Sequence, residues 1–210
     1  MADGDVPAVS ARSVHATALS IGVATGAYGL SFGAIAVASG LSAWQAQSLS
    51  LLMFTGASQF ALVGVLGAGG GAVAAVLTAW LLGARNGLYA LSLAPTLRLV
   101  GWRRLTGAQL TIDESTATAT AQDDHDERVR GFWTAGLGVW LTWNCFTLVG
   151  ALAGDALGDP KQWGLDGAAV AAFLGLLWPR LSARDPIAIA VVASVVTIIT
   201  IPLVPPGIPV

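Results

Sequence analysis

The chain contains few charged residues for its length. Only 10% of its 210 residues are Asp, Glu, Lys or Arg, whereas a soluble domain carries roughly 25%. These charges are too few to cover a surface that faces water, and hydrophobic residues make up 55% of the chain. We therefore predict an integral membrane protein that contacts the lipid bilayer directly.

Cysteine, histidine and basic residues are also scarce, and each shortage excludes a class of function. The single Cys145 excludes an internal disulfide framework, and the distant His15 and His125 form no metal cluster with it. A net charge of −2 without a basic stripe argues against nucleic-acid binding. No P-loop, nucleophile elbow or zinc-protease motif is present. We expect no cofactor, no metal, no catalytic residues, and no ATP-driven transport by this chain itself.

Long apolar runs dominate what is present. A spanning helix needs about 20 mostly apolar residues, and every backbone group in lipid must find a partner inside the protein. We predict an all-α, polytopic membrane helix bundle of six to seven segments. It forms a single transmembrane domain at 18–204, between an exposed N-terminal tail at 1–17 and a C-terminal tail at 205–210. The six clear segments are 18–39, 46–67, 70–97, 131–153, 165–181 and 186–204.

A seventh segment, 105–122, is more polar than the others, and three interpretations stay open. It is a spanning helix that faces protein or a cavity, a re-entrant piece, or an amphipathic helix on the surface. The positive-inside rule places the arginine-bearing loops 98–104 and 180–184 in the cytoplasm. Three full spans between them would put them on opposite sides, a conflict that disappears if 105–122 does not fully cross. Counting back three spans from 98–104 puts the N-terminus outside.

An arginine and an asparagine, Arg85-Asn86, lie inside the otherwise uncharged apolar run 70–97. A guanidinium in hydrocarbon costs from ~2.5 to more than 10 kcal/mol, so such residues usually face a partner, a cavity or a substrate path. Arg85 can hold a carboxylate in a bidentate fork, and Tyr89 follows four residues later on the same helix face. The alternative is a structural pair between Arg85 and an acidic side chain.

Two further groups carry polar chemistry. Ser58 and Gln59 lie near the middle of the second segment, where Gln59 either contacts a substrate or forms an interhelical hydrogen bond. Asp113 and Glu114 are adjacent carboxylates in the polar segment 105–122. They either pair with Arg85, relay protons, or lie on a solvated surface helix.

Glycines recur every three or four residues in the first segment, including Gly26, Gly29 and Gly33. Such a stripe either lets helices pack closely or breaks the helix so that freed backbone groups bind a substrate.

Short stretches of the two halves resemble each other. Residues 60–66 are similar to 146–152, 72–77 to 169–174, and 84–86 to 183–185. The order is preserved, and if 105–122 spans the membrane, the two halves have opposite orientation, as in the inverted repeats of many transporters. Chance similarity among small apolar residues is the alternative.

Several motifs together resemble the AzlC family of branched-chain amino-acid permeases over roughly residues 20–175. They are Gly29-Leu-Ser-Phe-Gly33, Phe54-Thr-Gly-Ala-Ser-Gln-Phe60, Ala84-Arg-Asn-Gly-Leu-Tyr89, Thr111-Ile-Asp-Glu-Ser115 and Gly164-Leu-Asp166 with Phe173. The resemblance implies a multi-pass exporter of branched-chain amino acids such as valine in the bacterial inner membrane. It also implies a small AzlD-like membrane subunit as partner.

On this interpretation the substrate-binding candidates are Ser58, Gln59, Arg85, Asn86 and Tyr89. The rival hypothesis is a non-transporting membrane scaffold or assembly subunit.

Overall fold

The computed structural model describes residues 11–156, 174, 178 and 181–204. Within these ranges the chain is entirely helical, which confirms the predicted all-α class for the described part. The helices are α1 (Ala11–Ala38), α2 (Ala43–Leu52), α3 (Gly56–Gly67), α4 (Ala72–Leu97), α5 (Trp102–Gln109), α6 (Asp113–Thr120), α7 (His125–Ala156) and α8 (Arg184–Thr200).

Several of these bounds differ from the segments predicted from hydropathy. Helix α1 begins at Ala11, so 11–17 are helical rather than part of a tail, and α7 extends beyond 131–153 at both ends. The predicted segments 46–67 and 105–122 are each broken into two short helices. The predicted segment 165–181 lies outside the described residues, apart from positions 174, 178 and 181.

The two long helices α1 and α7 run parallel and pack closely through glycines. A Cβ atom on Gly33 would overlap the carbonyl oxygen of Thr147, and one on Gly150 would overlap that of Leu30. The hydroxyl of Thr142 donates to the carbonyl of Gly22 at 2.7 Å. Close approach of this kind is the use that membrane helices make of small residues.

Gly26, Gly29 and Gly33 therefore serve helix packing. Helix α1 is continuous through all three, so the hypothesis that they break the first segment is wrong.

Helices α2 and α3 form a hairpin. Its two feet, which are the start of α2 and the end of α3, lie at the C-terminal end of α1. Helix α2 follows that end after a short turn, and α3 then runs parallel to α1. The rings of Phe32 and Phe60 are 5.8 Å apart, and a Cβ on Gly67 would lie 2.8 Å from the hydroxyl of Ser39. The tip of the hairpin is at Met53–Thr55, in the middle of the bundle.

The helical hydrogen bonds of α2 run out at its C-terminal end, and the side chains of two glutamines bind carbonyl groups there. The carbonyls of Leu49 and Met53 also accept from the backbone N–H groups of Met53 and Thr55. Gln59 Nε2 donates to the carbonyls of Met53 at 2.7 Å and Leu49 at 3.3 Å. Gln109 Nε2 donates to Leu51 at 3.0 Å and Leu52 at 3.2 Å. Two side chains from other helices thus bind a helix end that is partly exposed.

Helices α5 and α6 form a second hairpin, which lies along the first half of α7. Helix α5 begins near the start of α7, where Arg103 packs on Trp133. Its end contacts Gly136, at the level of Leu110 and Ser115, and α6 then returns to Thr118 beside Gly131. Of the three interpretations of 105–122, this geometry corresponds to the re-entrant piece, because the segment enters the bundle and turns back.

The two hairpins enter the bundle from opposite ends. Helix α4 runs back along α3, where a Cβ atom on Gly83 would lie 3.2 Å from the hydroxyl of Ser58, and so is antiparallel to α1. A unit of one long helix and one hairpin therefore occurs twice, as α1 with α2–α3 and as α4 with α5–α6. The two tips meet where Gln109 binds the end of α2.

This arrangement is inverted, but it is not the repeat inferred from the sequence. That alignment pairs 60–66, in the short α3, with 146–152, inside the long α7. It also pairs 84–86, in the middle of α4, with 183–185, at the start of α8. The matched stretches do not occupy equivalent positions.

Two of the described helical stretches are long and apolar enough to cross a membrane by length and composition. They are Ala18–Ala38 of α1 and the whole of α7.

Candidate functional site

A cavity of about 420 Å³ lies between the two hairpin tips. We call it the central cavity. Both tips contribute to it, and α1, α4 and α7 close its sides. Its lining comprises Thr25, Tyr28, Phe54, Thr55, Gly56, Ala57, Phe60, Leu82, Arg85, Asn86, Ile112, Asp113, Glu114, Val139 and Trp143.

An ion pair joins α4 to the second hairpin across this cavity. Arg85 Nη2 lies 2.8 Å from Asp113 Oδ2, and the two side chains are 35% and 28% exposed. The predicted structural pair therefore forms, and of the two candidate carboxylates Asp113 is the partner. Because both side chains keep some exposure to the cavity, the pair does not remove Arg85 from the reach of a bound molecule.

Two polar atoms of the same helix remain without partners beside the pair. Arg85 Nε and Asn86 Oδ1 are both buried and have no hydrogen-bond partner among the described residues. A buried donor or acceptor without a partner costs about 1–3 kcal/mol. The two residues line the same cavity, so a small movement of their side chains towards a ligand with an acceptor and a donor would satisfy both atoms.

Glu114 supplies a second carboxylate to the cavity. It is not a member of either ion pair found among the described residues, which join Arg85 to Asp113 and Arg130 to Glu127. Its neighbours include the hydroxyl of Thr25 on α1. The cavity therefore holds one guanidinium and two carboxylates.

Both tips present the start of a helix to the cavity. Helix α3 begins at Gly56 and α6 at Asp113, each after a residue in extended conformation. The first N–H groups of a helix and its dipole favour a negative group. Asp113 occupies this position at α6, while no side chain caps the N–H groups at the start of α3.

Aromatic rings form one wall of the cavity, where Phe60 and Trp143 are part of the lining. The rings of Phe32, Phe60 and Trp143 contact one another with centroids 5.8 to 6.3 Å apart. The indole N–H of Trp143 donates to Gln59 Oε1 at 2.9 Å. The aromatic wall of the cavity is thereby fixed to the first hairpin.

The predicted site residues fall into two groups. Arg85, Asn86, Asp113 and Glu114 line the central cavity. Ser58, Gln59 and Tyr89 are not part of its lining. Gln59 is fully buried, and its amide binds the end of α2 and Trp143, so the interhelical interpretation of this residue describes its contacts.

Ser58 is also fully buried and lies 3.4 Å from the hydroxyl of Thr55. The other lining residues were not among the predicted site residues, and they include Thr25, Tyr28 and Trp143. The polarity of Thr25 and Tyr28 within the glycine-rich face of α1 is the sequence signal that could have identified them.

Comparison with known proteins agrees with this picture. Residues 20–157, well over half of the chain, match the model of the AzlC protein family. The chain is 31% identical over 161 residues to the inner membrane protein YgaZ of Escherichia coli strain K12. That alignment covers 71% of this chain and 61% of the relative, so the chain spans less than two thirds of that protein's length. No solved structure matches the chain. The chain belongs to the AzlC family.

Proposed function

We propose that the protein is a multi-pass inner-membrane transporter that exports branched-chain amino acids with valine-like side chains. The observation that carries this proposal is the central cavity, which combines a guanidinium, two carboxylates and an aromatic wall between two hairpin tips. A volume of about 420 Å³ is within the range of ~300–1,000 Å³ that small-ligand sites occupy.

The lining offers a suitable partner to each of the three parts of an amino acid: the carboxylate, the ammonium group and the side chain. The substrate carboxylate fits Arg85 Nε and the start of α3, which offer N–H groups. The ammonium group fits Asn86 Oδ1 and the Glu114 carboxylate. A branched side chain fits the apolar surface of Phe60 and Trp143.

In the membrane, we propose that α1, α4 and α7 cross the bilayer and that both hairpins are re-entrant. Each of α5 and α6 has eight residues and is about 12 Å long, too short to cross ~30 Å of hydrocarbon alone. Irregular backbone at that depth is tolerated where it lines a cavity, and transporters place binding sites at such broken helices.

We propose that the predicted segment 165–181 also crosses. Two crossings then separate loops 98–104 and 180–184, so this arrangement satisfies the positive-inside rule and removes the conflict between them. The feet of the α5–α6 hairpin, 98–101 and 121–124, lie on the same side, which the arginines assign to the cytoplasm. Since only α1 and α4 then cross before residue 98, the N-terminus lies in the cytoplasm too. The count of three spans, which put it outside, treated the α2–α3 hairpin as a full crossing.

We assign proton coupling to Glu114. Asp113 is bound to Arg85, whereas Glu114 faces the same cavity outside either ion pair of the described residues. An intramembrane carboxylate of this kind can carry a proton, and its protonation would change how strongly the cavity holds an ammonium group.

We also propose that the protein works with a small AzlD-like membrane subunit as its partner. The support is the family membership together with apolar surface that the chain leaves exposed. Helix α8 buries none of its residues, and Trp80 on α4 is 72% exposed. A short, strongly hydrophobic reading frame next to this gene would support the pairing.

The test is valine efflux from cells loaded with a valine-containing dipeptide, in a host without valine export of its own. We expect Arg85→Gln to reduce efflux to the level of empty vector at equal expression. Arg104→Gln, a nearby arginine outside the central cavity, should export as the wild type does. Equal export by Arg85→Gln would show that the cavity is not on the substrate path, as the scaffold alternative predicts.

A further inference from the structure

A second pocket, separate from the central cavity, lies on the outer face of the α5–α6 hairpin. We call it the lateral pocket. Its volume is about 620 Å³. Leu51 and Leu52 from the end of α2, Leu110 from the tip and Leu137 from α7 form its apolar interior. It reaches from the start of α5, at the edge of the bundle, to the place where the two hairpin tips meet.

The outer end of the lateral pocket carries tryptophans and a cation. Trp102 and Trp133 line this end together with Arg103, while Trp140 lies deeper, near the hairpin tips. Tryptophan is enriched where a membrane protein meets the headgroup layer, because its ring has an apolar body and a polar edge. A pocket with this end at the interface and an apolar interior matches the two parts of a lipid.

Arg103 stacks on an aromatic ring, and this contact leaves the N–H groups of its guanidinium available for hydrogen bonds. Its guanidinium carbon lies 5.8 Å from the centre of the Trp133 ring, a cation–π distance. Neither ion pair of the described residues includes Arg103. The planar N–H fork of an arginine matches the oxygens of a phosphate.

A second, independent observation lies in the same wall. Trp133 Nε1 is buried and has no hydrogen-bond partner among the described residues. A buried indole N–H normally finds an acceptor, and a small rotation of the Trp133 ring towards the pocket would let an ester or phosphate oxygen beside Arg103 provide one.

We propose that the lateral pocket binds an anionic phospholipid. The acyl chain occupies the interior formed by the leucines, and the phosphate headgroup binds Arg103 and Trp133 Nε1. The lipid contacts Leu110 and Gln109, and Gln109 holds the end of α2. The lipid therefore packs against the junction of the two tips, independently of what the central cavity carries.

The charge of the pocket favours a lipid over a helix of another protein. Among the described residues that line the lateral pocket, Arg103 is the one charged side chain, and basic pockets on the cytoplasmic side of membrane proteins bind acidic headgroups. All residues of α5 other than Gly107 are exposed, so the mouth is open to the surrounding layer.

The test uses the purified full chain in detergent with defined lipids. Brominated phosphatidylglycerol quenches nearby tryptophans, and brominated phosphatidylcholine serves as the zwitterionic probe. We expect saturable quenching by phosphatidylglycerol at concentrations at least 10-fold lower than by phosphatidylcholine. Arg103→Gln should remove this preference, while Arg104→Gln, outside the lining, should retain it. Leu137→Trp, which fills the interior, should weaken quenching by both lipids.

Three results would overturn the proposal. The first is equal quenching by the two lipids in the wild type. The second is loss of the preference in Arg104→Gln to the same degree as in Arg103→Gln, because that indicates unspecific charge attraction. The third comes from a photo-crosslinker placed at Thr106 in cells: a protein adduct instead of a lipid adduct shows that another subunit occupies the pocket. Thermal unfolding of each variant without lipid excludes misfolding as the cause.

Discussion

Arg85 on α4 and Asp113 at the start of α6 form an ion pair with a 2.8 Å contact between Nη2 and Oδ2. The pair joins a long helix to the tip of a hairpin that enters the bundle from the opposite end to the α2–α3 hairpin. The pair lies in the wall of the central cavity. It therefore both holds α4 to the α5–α6 hairpin and places charged groups where a ligand would bind.

Exchanging the two charges separates these contributions. Arg85→Asp and Asp113→Arg alone each place like charges together, and we expect each to destabilise the fold by about 1–3 kcal/mol, since the pair is partly exposed. The double exchange should restore the yield of monodisperse protein in size-exclusion chromatography but not valine efflux, because the cation then lies on α6. Full recovery of efflux would assign the pair a purely structural role.

Replacing Gln59 should weaken the first hairpin. Gln59→Leu leaves the indole N–H of Trp143 without its acceptor and removes the side-chain donor from the carbonyls of Met53 and Leu49, which each keep a backbone N–H partner. We expect a loss of about 1–3 kcal/mol in unfolding free energy. Gln122→Leu, which removes one long contact of 3.5 Å to Thr118, is the matched control and should change stability by less than about 0.5 kcal/mol. Both are measured by unfolding in detergent. A loss for Gln59→Leu no greater than the control's would show that these bonds do not hold the hairpin.

The contact between α1 and α7 predicts a difference between two glycines. Gly33→Ala forces a methyl group against the Thr147 carbonyl and should cost about 1–3 kcal/mol. Gly64→Ala, where a Cβ meets no atom within 4 Å, should be neutral or gain up to ~1 kcal/mol in helix propensity. Thermal unfolding of both variants in one detergent is the measurement, and equal behaviour would contradict the close helix contact.

The hairpin topology predicts which positions share a side of the membrane. In a Cys145→Ser background, Val100→Cys and Ala121→Cys should react with a membrane-impermeant maleimide from one side. Trp44→Cys and Ala68→Cys should react from the other. If position 121 is labelled from the side opposite to 100, the α5–α6 segment crosses the bilayer and the re-entrant assignment is wrong.

Glu114→Gln tests the assignment of proton coupling. The amide keeps the shape of the side chain but binds no proton, so efflux driven by an imposed pH gradient in vesicles should fall to its rate without a gradient. Exchange of labelled for unlabelled valine should continue. Asp126→Asn, an exposed acidic residue on α7, is the control. Unchanged gradient-driven efflux in Glu114→Gln would exclude this carboxylate as the proton carrier.

Hydropathy and charge predict the helical class and the importance of Arg85, because a lone cation in an apolar run has few explanations. They do not predict the hairpins. The segment 46–67 is mostly apolar and has no charged residue. Its break at Met53–Thr55 is bound by Gln59 and by Gln109, which is 57 positions away from Leu52. Hydropathy shows that these two glutamines are polar, but it does not show that they bind the end of α2.

The glycines of α1 show the same limit. Their spacing is compatible with both a packed face and a broken helix, and the choice depends on the partner surface of α7, more than 100 positions later in the chain. Thr25 and Trp143 were not identified from the sequence as site residues for a related reason. They line the cavity because α1 and α7 pack against each other and against the hairpin tips, and the sequence does not show this packing.

The most direct test of the central claim is equilibrium binding of labelled valine to the purified protein, reconstituted with a small partner subunit if the neighbouring gene encodes one. The account predicts saturable binding that excess unlabelled valine displaces and that valinol, which lacks the carboxylate, does not. Ala57→Trp, which fills the central cavity, should abolish binding, while Ala84→Trp, exposed on α4 outside the lining, should retain it. Undiminished valine binding by Ala57→Trp, or no saturable binding by the wild type, would contradict the account.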